Sequence, residues 1–390
     1  MANLLKAKPR NTPVSSITRT IALTLAVVVT GCAPVGPDFV KPEPETLPEW
    51  SQPPEQGLQP GAGELSAWWR VFNDPVLNEL MDLARAHNNT LEIAGLRVLE
   101  SLAQLGIATG ARFPQTQVAA GEATYVSPAE NLGGTSNFWQ YGIGASASWE
   151  IDFWGRFRRG IESADAAYLA SIAAYDQALV LLTAGVAGSY AVIRTTEEQL
   201  RIAEENLIIQ ERSYDIAAVL YKNGASSELD MQQAETLLLA TRSTLPALRT
   251  ALRQARNALS TLLGQPPGSV KDMLSREQGI PALPADINVG IPADMLRRRP
   301  DVRQAELTAM AQNAQIGLAK ADLYPSFSLA GSIGLSSGGP GDSNFGDLFS
   351  TDALTFSVGP TFIWPFLNYG RIKNNVRVQD ARLQQALVAY

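Results

Sequence analysis

Residues 138–152 read FWQYGIGASASWEID. Apart from Phe138, apolar residues occupy the odd positions, whereas glycine, serine and other polar residues occupy the even ones. A period of two over a dozen residues predicts a β-strand with one apolar face. A strand of this length exceeds the usual five or six residues or so of globular sheets, and it suits a transmembrane barrel that is apolar outside and polar inside.

Three other stretches alternate in the same way. Strands are predicted over 325–335 and 354–366, with a weaker one over 114–126. Glu122 is predicted to interrupt the apolar face of the weak strand. Glu122, Glu150 and Asp152 are candidates to face a barrel lumen, because a charge that faces lipid is costly. A soluble β-sandwich with the same alternation is the alternative.

The strand pairs belong to a unit that occurs twice in the chain. AQLGIA at 103–108 returns as AQIGLA at 314–319, and Gly155-Arg156 returns as Gly370-Arg371. Each copy is predicted to run helix, two strands, helix. The predicted divisions are a first repeat over 66–264 (helix, β-hairpin 113–152, helical hairpin 157–263), a linker over 265–299, and a second repeat over 300–390 (helix, β-hairpin 324–366, start of a long helix). The duplication leads us to expect that a complete chain continues for about 89 more residues.

Long helices follow the first strand pair. Residues 157–223 contain no proline, and apolar residues recur in them at alternating spacings of four and three. This heptad pattern predicts a helix over 157–222, roughly 100 Å long at 1.5 Å per residue. Gly224 is suited to the cap, and a second seam from Met231 to Leu262 predicts a return helix. An antiparallel coiled-coil dimer is the alternative to a tube of helices.

The amino terminus has the pattern of a secretory signal. A basic segment precedes a short apolar run, Ile21–Val29, and small residues precede Cys32. The run is shorter than the roughly 20 residues that a membrane-spanning helix needs. We therefore predict a signal peptide over 1–31, cleaved between Gly31 and Cys32, and an extended tether over 32–65 that is rich in proline, glycine and glutamate.

Composition excludes several functions. The 390 residues carry 38 acidic and 31 basic side chains, so the net charge of −7 disfavours nucleic acid as a partner. One cysteine excludes a disulfide framework, and one histidine excludes a two-histidine zinc site. No base histidine accompanies the serines, so no nucleophilic triad can be written. We predict no catalytic residues, no metal and no enzyme activity.

Several motifs resemble one family, the TolC-like outer-membrane factors. Residues 29–32 resemble a bacterial lipobox, which implies a covalent lipid on Cys32 as the only bound group. Ala33 in place of aspartate implies the outer membrane of a Gram-negative bacterium. The lipoprotein, NodT-type branch that serves resistance-nodulation-division (RND) pumps is the nearer likeness. The resembling segments are VGPD at 35–38, Trp68-Trp69 with Asp74-Pro75, LGQP at 263–266, and IPADMLRRRPDV at 291–302.

The resemblance implies a mixed α/β membrane protein. Family members are homotrimers in which each protomer gives four strands to a twelve-stranded barrel, and long coiled-coil helices form a periplasmic tunnel. The tunnel docks on a periplasmic adaptor (a membrane fusion protein) that embraces an inner-membrane RND transporter. Two sets of residues are singled out: the tip residues Gly224, Ala225, Ser226, Ser227 and Asp230 for the adaptor contact, and Gly155, Arg156, Gly370 and Arg371 at strand-to-helix corners.

The predicted function is passive export of small molecules through the outer-membrane exit duct of a tripartite efflux pump. The alternatives are a duct for type I protein secretion and a lipid-anchored periplasmic scaffold without a pore. A cell-wall enzyme is disfavoured because the catalytic groups are absent. The corner arginines are interpreted either as structural or as charges at the mouth of the tunnel.

Overall fold

The computed structural model describes residues 34–43, 58–60, 66–128, 136–276, 279–282, 287–289, 296–339 and 344–390. The predicted signal peptide, Cys32 and most of the tether lie outside these residues. The chain forms two compact units. The sheet unit combines 101–168 and 305–390 with the start of the described chain, and the helical unit combines the described residues of 43–100 with those of 169–304. Each unit therefore draws on both predicted repeats.

The elements follow one another in an order that repeats. They are β1 (Leu58–Pro60), α1 (Pro75–His87), α2 (Asn89–Gly110), β2 (Thr116–Val126), β3 (Phe138–Ile151), α3 (Arg156–Lys222), α4 (Glu228–Leu262), α5 (Lys271–Leu274), β4 (Ile287–Val289), α6 (Pro300–Ala321), β5 (Ser326–Ser337), β6 (Leu354–Ile363) and α7 (Arg371–Ala389). Short 3-10 turns lie at Trp68–Phe72, Phe345–Phe349 and Thr351–Ala353. The order helix, strand, strand, helix thus occurs at α2 to α3 and again at α6 to α7.

The sheet unit is built on a four-stranded antiparallel sheet with the order β2-β3-β5-β6. Pairing of β3 with β5 joins the two hairpins, for example Ala145 opposite Ile333. The register also relates the hairpins to each other. Thr116 pairs with Ser148 in the first, and Ser326 pairs with Ile363 in the second. Thus β3 and β6 are offset by 215 residues, whereas β2 and β5 are offset by 210.

The prediction that Glu122 interrupts the apolar face of β2 was wrong. Glu122 lies opposite Gly142, on the face that carries glycine and serine, and it does not interrupt the apolar face. A Cβ atom on Gly142 would lie 3.2 Å from Cγ of Glu122, so the glycine leaves room for the longer side chain. The even positions of β2 therefore belong to the small-residue face, although Val118 and Val126 are among them.

The one helix predicted before the first β-hairpin is two helices, α1 and α2. Asn88 takes an extended conformation between α1 and α2, with φ −73° and ψ 117°. Its Oδ1 atom accepts a hydrogen bond from the Leu91 amide, and its Nδ2 atom donates to the Leu262 carbonyl at 2.8 Å. Asn88 thus caps α2 and ties the break to the end of α4. A side chain that bonds this distant carbonyl gives no periodic signal in the sequence.

The core of the helical unit follows the predicted seam of the return helix. Leu238, Leu245, Leu252 and Leu259, spaced by seven residues on α4, are all buried. Leu252 and Leu259 belong to one core cluster with residues of α3 and α1, including Leu182, Val186, Ile193, Leu80 and Met81. Helix α4 continues through Pro246. By length and composition alone α3 contains a segment apolar enough to cross a membrane, a criterion that core helices of soluble domains also meet.

Candidate channel site: sheet faces, corners and helical tip

The sheet has one apolar face and one face of small residues. Large side chains on the apolar face remain exposed to solvent in the single chain: Tyr125, Trp139, Ile143, Trp149, Ile151, Phe327, Leu329, Ile333, Leu354, Phe356, Val358 and Phe362. The opposite face carries Gly142, Gly144, Ser146, Ser148, Ser328, Ser332, Thr355 and Ser357. An exposed apolar surface of this extent marks an interaction with lipid or protein.

Aromatic side chains gather at both ends of the apolar face. The loop-end girdle consists of Tyr125, Trp139, Tyr141 and Phe345, in which neighbouring ring centroids lie 5.2 to 6.0 Å apart. The corner-end girdle consists of Trp149, Phe327, Phe362, Trp364 and Phe366. Trp139 and Trp149 are ten residues apart, or about 33 Å along the strand. A strand tilt of roughly 40° reduces this to about 25 Å, the height of the apolar band of outer-membrane barrels.

The two repeats make one girdle contact twice. Trp149 donates its indole N–H to the Arg112 carbonyl at 3.1 Å, and Trp364 donates to the Leu323 carbonyl at 3.1 Å. The donors are 215 residues apart and the acceptors 211. The tryptophans are thereby fixed against the preceding helix-to-strand turn in each repeat.

The first corner, residues 152–163, joins β3 to α3. Gly155 has φ +77°, which favours glycine. The Asp152 carboxylate accepts hydrogen bonds from the amides of Phe157 and Arg158, both at 3.0 Å, and so caps the amino terminus of α3. Asp152, predicted as a candidate lumen charge, is thus a helix cap. Trp154 stacks on Tyr324 with centroids 4.5 Å apart.

Arg156 lies between two carboxylates. Its Nη1 atom is 3.6 Å from Glu150 and its Nε atom is 3.7 Å from Asp322. These three residues, together with Arg371, line a cavity of about 270 Å³. The two corner arginines therefore share one cavity, in which Arg156 is the arginine paired with acids.

The second corner, residues 367–378, joins β6 to α7. Gly370 has φ +81°, close to the value at Gly155. Among the described residues, however, no side chain caps α7 and no partner of the Arg371 guanidinium is found. Tyr369, at the position equivalent to Trp154, is 97% exposed. The two corners share a backbone turn but differ in their packing.

The helical tip connects α3 to α4. The Gly224 amide donates to the Tyr221 carbonyl and the Ala225 amide to the Leu220 carbonyl, both at 2.9 Å, which is a Schellman cap with Gly224 at φ +72°. Ser227 and Asp230 form a reciprocal capping box at the start of α4. Hydrogen bonds from Ser227 and Ser226 hold the pKa of Asp230 below its usual range. The tip is thus a defined turn flanked by exposed Tyr221 and Leu229.

A profile of the family described as Outer membrane efflux protein matches residues 80–265 and 291–390. The chain belongs to this family. Nodulation protein T of Rhizobium leguminosarum bv. trifolii is 31% identical over 368 residues, 94% of this chain and 76% of that protein. Cation efflux system protein CusC of Escherichia coli (strain K12) is 31% identical over 368 residues, 94% of this chain and 78% of that protein.

Solved channels share the fold of this outer membrane efflux protein. The outer-membrane channel OprN superposes with a TM-score of 0.82 at 31% identity, over 91% of this chain and 78% of that one. The open state of the Neisseria gonorrhoeae MtrE outer membrane channel gives 0.72 at 28% identity, over 92% and 78%. The family, the channel fold class, the efflux function and the outer-membrane location predicted from the sequence are confirmed.

The predicted site residues of the efflux protein fall into three groups. Gly31 and Cys32 lie outside the described residues. The corner residues Gly155, Arg156, Gly370 and Arg371 belong to the sheet unit, whereas the tip residues Gly224, Ala225, Ser226, Ser227 and Asp230 belong to the helical unit. Among the described residues, no group of three or more His, Cys, Asp or Glu side chains is placed to hold a metal ion.

Sequence reasoning missed two buried arginines, Arg159 and Arg194. Arg194 is 1% exposed, lies 4.8 Å from the centroid of the Tyr190 ring and pairs with Glu197 at 2.8 Å. Burial and a hydrogen bond to Asp74 raise the pKa of Tyr190 to about 12. Each arginine has a glutamate three residues later, Glu162 or Glu197. That spacing was the available signal, but exposed helical pairs share it.

Proposed function

We propose that the efflux protein is the passive outer-membrane duct of a tripartite pump, assembled as a homotrimer, anchored by lipid on Cys32 and docked on a periplasmic adaptor and an RND transporter. The observation that carries the proposal is the open sheet, whose apolar face lies between two aromatic girdles. The duct needs no catalysis, because transport through an open pore forms and breaks no covalent bond. Its substrates are then those of the pump that it serves.

The sheet edges support a closed ring of several chains. Strands β2 and β6 are the two edges of the four-stranded sheet, and they run in opposite directions. An unpaired edge in a bilayer leaves backbone amides and carbonyls without partners, so a spanning sheet must close. Antiparallel pairing of β6 with β2 of a neighbour closes the ring, and three copies give the twelve strands of a family barrel.

The duplication supports the same neighbour. Trp154 of the first corner stacks on Tyr324, which ends the helix-to-strand turn of the second repeat. In the other repeat, Tyr369 is equivalent to Trp154 and Phe113 is equivalent to Tyr324. Both side chains are unpacked in the single chain, at 97% exposed for Tyr369 and 64% for Phe113. A neighbouring protomer would bring its Phe113 to Tyr369 in the same way. The exposed second corner is therefore the expected contact with the next copy.

The register of β3 and β5 predicts the register between protomers. Ala145 lies opposite Ile333. Pro360 of β6 is equivalent to Ala145 of β3 by the offset of 215, and Ala123 of β2 is equivalent to Ile333 of β5 by the offset of 210. Pro360 of one protomer is thus expected opposite the neighbour's copy of Ala123, both on the apolar face.

Disulfide cross-linking tests the assembly. The double variant Pro360→Cys with Ala123→Cys, oxidised in outer membranes, is expected to give cross-linked trimers on denaturing gels. The matched control combines Pro360→Cys with Gln117→Cys, six residues or about 20 Å away along β2, and should give none. Monomers from the first pair, or equal cross-linking of both, would contradict the proposed ring.

Conductance tests the pore. The purified protein is expected to conduct ions in planar bilayers, and Glu122→Gln should lower the preference for cations, because Glu122 lies on the face assigned to the lumen. The isosteric change leaves the backbone pairing of β2 intact, so the total conductance should equal that of the wild type and serves as the control. An intact trimer without conductance would refute the duct.

The adaptor contact and the lipid are tested separately. A photo-cross-linking residue at Ala225 should capture the adaptor in cells, whereas one at the exposed Thr250 of α4 should not. The exposed apolar residues Tyr221 and Leu229 beside a fixed turn favour this tip as a docking surface. Labelled palmitate should enter the protein and should be lost in Cys32→Ser.

A further inference from the structure

The segment Pro34–Asp38, here named the docking segment, is bound to the body of the sheet unit. The Val35 amide donates to the Trp154 carbonyl at 3.0 Å. The Asn313 side chain, which is buried on α6, donates to the Pro37 carbonyl at 2.9 Å. A few residues later, Lys41 pairs with Glu306 at 2.7 Å. Backbone and side-chain hydrogen bonds thus fix the segment against α3 and α6.

Arg159 of α3 is the centre of this contact. Its side chain is 3% exposed, although arginine is almost never fully buried without partners. It donates to the carbonyls of Val35 and Gly36, both at 3.3 Å, and to the Asp38 carboxylate at 2.8 Å. Glu162 accepts its remaining strong bond at 2.7 Å. Burial alone would lower the pKa of Arg159, but the two carboxylates outweigh it and raise the pKa above its usual value.

Three glycines allow the docking segment to approach the helices. Gly36 has φ +107°, and a Cβ atom there would lie 2.4 Å from Cα of Gly317. A Cβ on Gly317 would lie 2.8 Å from both the Val35 carbonyl oxygen and Cγ of Arg159. A Cβ on Gly155 would lie 2.6 Å from Cα of Pro34. No side chain fits at these positions while the segment is bound.

The equivalent positions of the other repeat lack this contact. Gly106 is equivalent to Gly317, yet a Cβ there would meet nothing within 4 Å. Asn374 replaces Arg159, and a Cβ on Gly370 would meet only the Asn374 side chain, at 3.7 Å. The groove is therefore specific to the corner between α3 and α6, and the general repeat architecture does not require it.

We propose that the groove around Arg159, Gly317 and Asn313 is a binding site for the docking segment, and that this contact ties the amino-terminal lipid anchor to the sheet unit. The proposal rests on the lipid attachment proposed above. Cys32 precedes Pro34 by two residues in the sequence, and two residues of chain span at most about 7 Å. Trp154 and Gly155 lie three and four residues after Ile151, the last residue of β3. The docking segment thus begins, at Pro34, beside Gly155, close to where the apolar face of the sheet ends.

Limited proteolysis of the protein in outer-membrane vesicles tests the binding site. Thermolysin cleaves before Phe39 and Val40, and mass spectrometry follows release of the acylated amino-terminal peptide. The expected rate is at least tenfold higher in Gly317→Ala than in the wild type, because the new methyl group displaces the segment. Gly106→Ala is the matched control in the equivalent helix, and it should cleave at the wild-type rate.

Gly36→Ala tests the same contact from the other side. This change lies in the docking segment itself, so the helices keep their own sequence, and cleavage should again rise at least tenfold. Wild-type rates in both Gly317→Ala and Gly36→Ala would overturn the proposal, as would equal acceleration in Gly106→Ala. Palmitate labelling and conductance of the same preparations report on the proposed function independently. If the wild-type protein takes up no palmitate and does not conduct ions, the lipidated duct is refuted. The proteolysis rates still decide whether the binding site exists.

Discussion

The two strand-to-helix corners have nearly the same backbone but different surroundings. Gly155 and Gly370 have φ angles of +77° and +81°. In the first corner Asp152 caps the helix, whereas the equivalent residue in the second is the exposed Leu367. The first corner is packed by the docking segment and the second repeat, and the partner proposed for the second belongs to another copy. Duplication thus preserved the turn while the side chains adapted to different neighbours.

The largest expected effect is at the turn glycines. Gly155→Ala and Gly370→Ala both impose a left-handed conformation on a residue with a Cβ, which costs about 1–2 kcal/mol. Only Gly155→Ala also drives its methyl group into Pro34, and overpacking adds about 1–3 kcal/mol. We expect a clearly larger fall in the thermal unfolding midpoint for Gly155→Ala. Equal falls in the unfolding midpoints of the two variants would show that the contact of Gly155 with Pro34 adds no cost.

An exchange of side chains between corners should have the next largest effect. Arg159→Asn installs the residue of the second corner in the first, and leaves Glu162 and two carbonyls without their donor. Loss of a fully buried pair costs about 3–5 kcal/mol, but Asp38 and Glu162 retain water contact, so we expect about 2–3 kcal/mol. The reverse exchange, Asn374→Arg at an exposed position, should stay within about 0.5 kcal/mol. Chemical denaturation in detergent measures both.

The smallest expected effect concerns the corner arginines. Arg156→Gln removes two partly exposed ion pairs that are longer than 3.5 Å, so the loss should not exceed about 1 kcal/mol. Arg371→Gln should change the stability of the isolated chain even less. The difference between these variants should shrink as the salt concentration rises, because exposed pairs are screened. If the difference in stability between Arg156→Gln and Arg371→Gln persists in high salt, the ion pairs of Arg156 are not screened as exposed pairs are.

Local patterns in the sequence predicted much of the fold. Alternation in 138–152 and the heptad of leucines on α4 are set by neighbours a few residues apart, so periodicity identifies them. Gly224 was predicted as a cap because few residues accept a left-handed conformation. Each of these features depends on the chain close to it.

Features that depend on distant segments were predicted wrongly or missed. The face of Glu122 depends on its register with Gly142, which no pattern within β2 reveals. The burial of Arg159 depends on a segment 121 residues earlier in the chain, and the break at Asn88 depends on a carbonyl of α4. Pairing and docking decide these features, and each is specified by two separated stretches.

The unequal offsets of the strands affect the outer end of the barrel. Because β2 and β5 are offset by 210 residues and β3 and β6 by 215, the connection from β5 to β6 is five residues longer than that from β2 to β3. In the proposed trimer, short and long connections alternate around the rim, so the six hairpin ends are not equivalent. An antibody or phage protein that recognises one kind of connection should therefore bind with a stoichiometry of three per channel and not six.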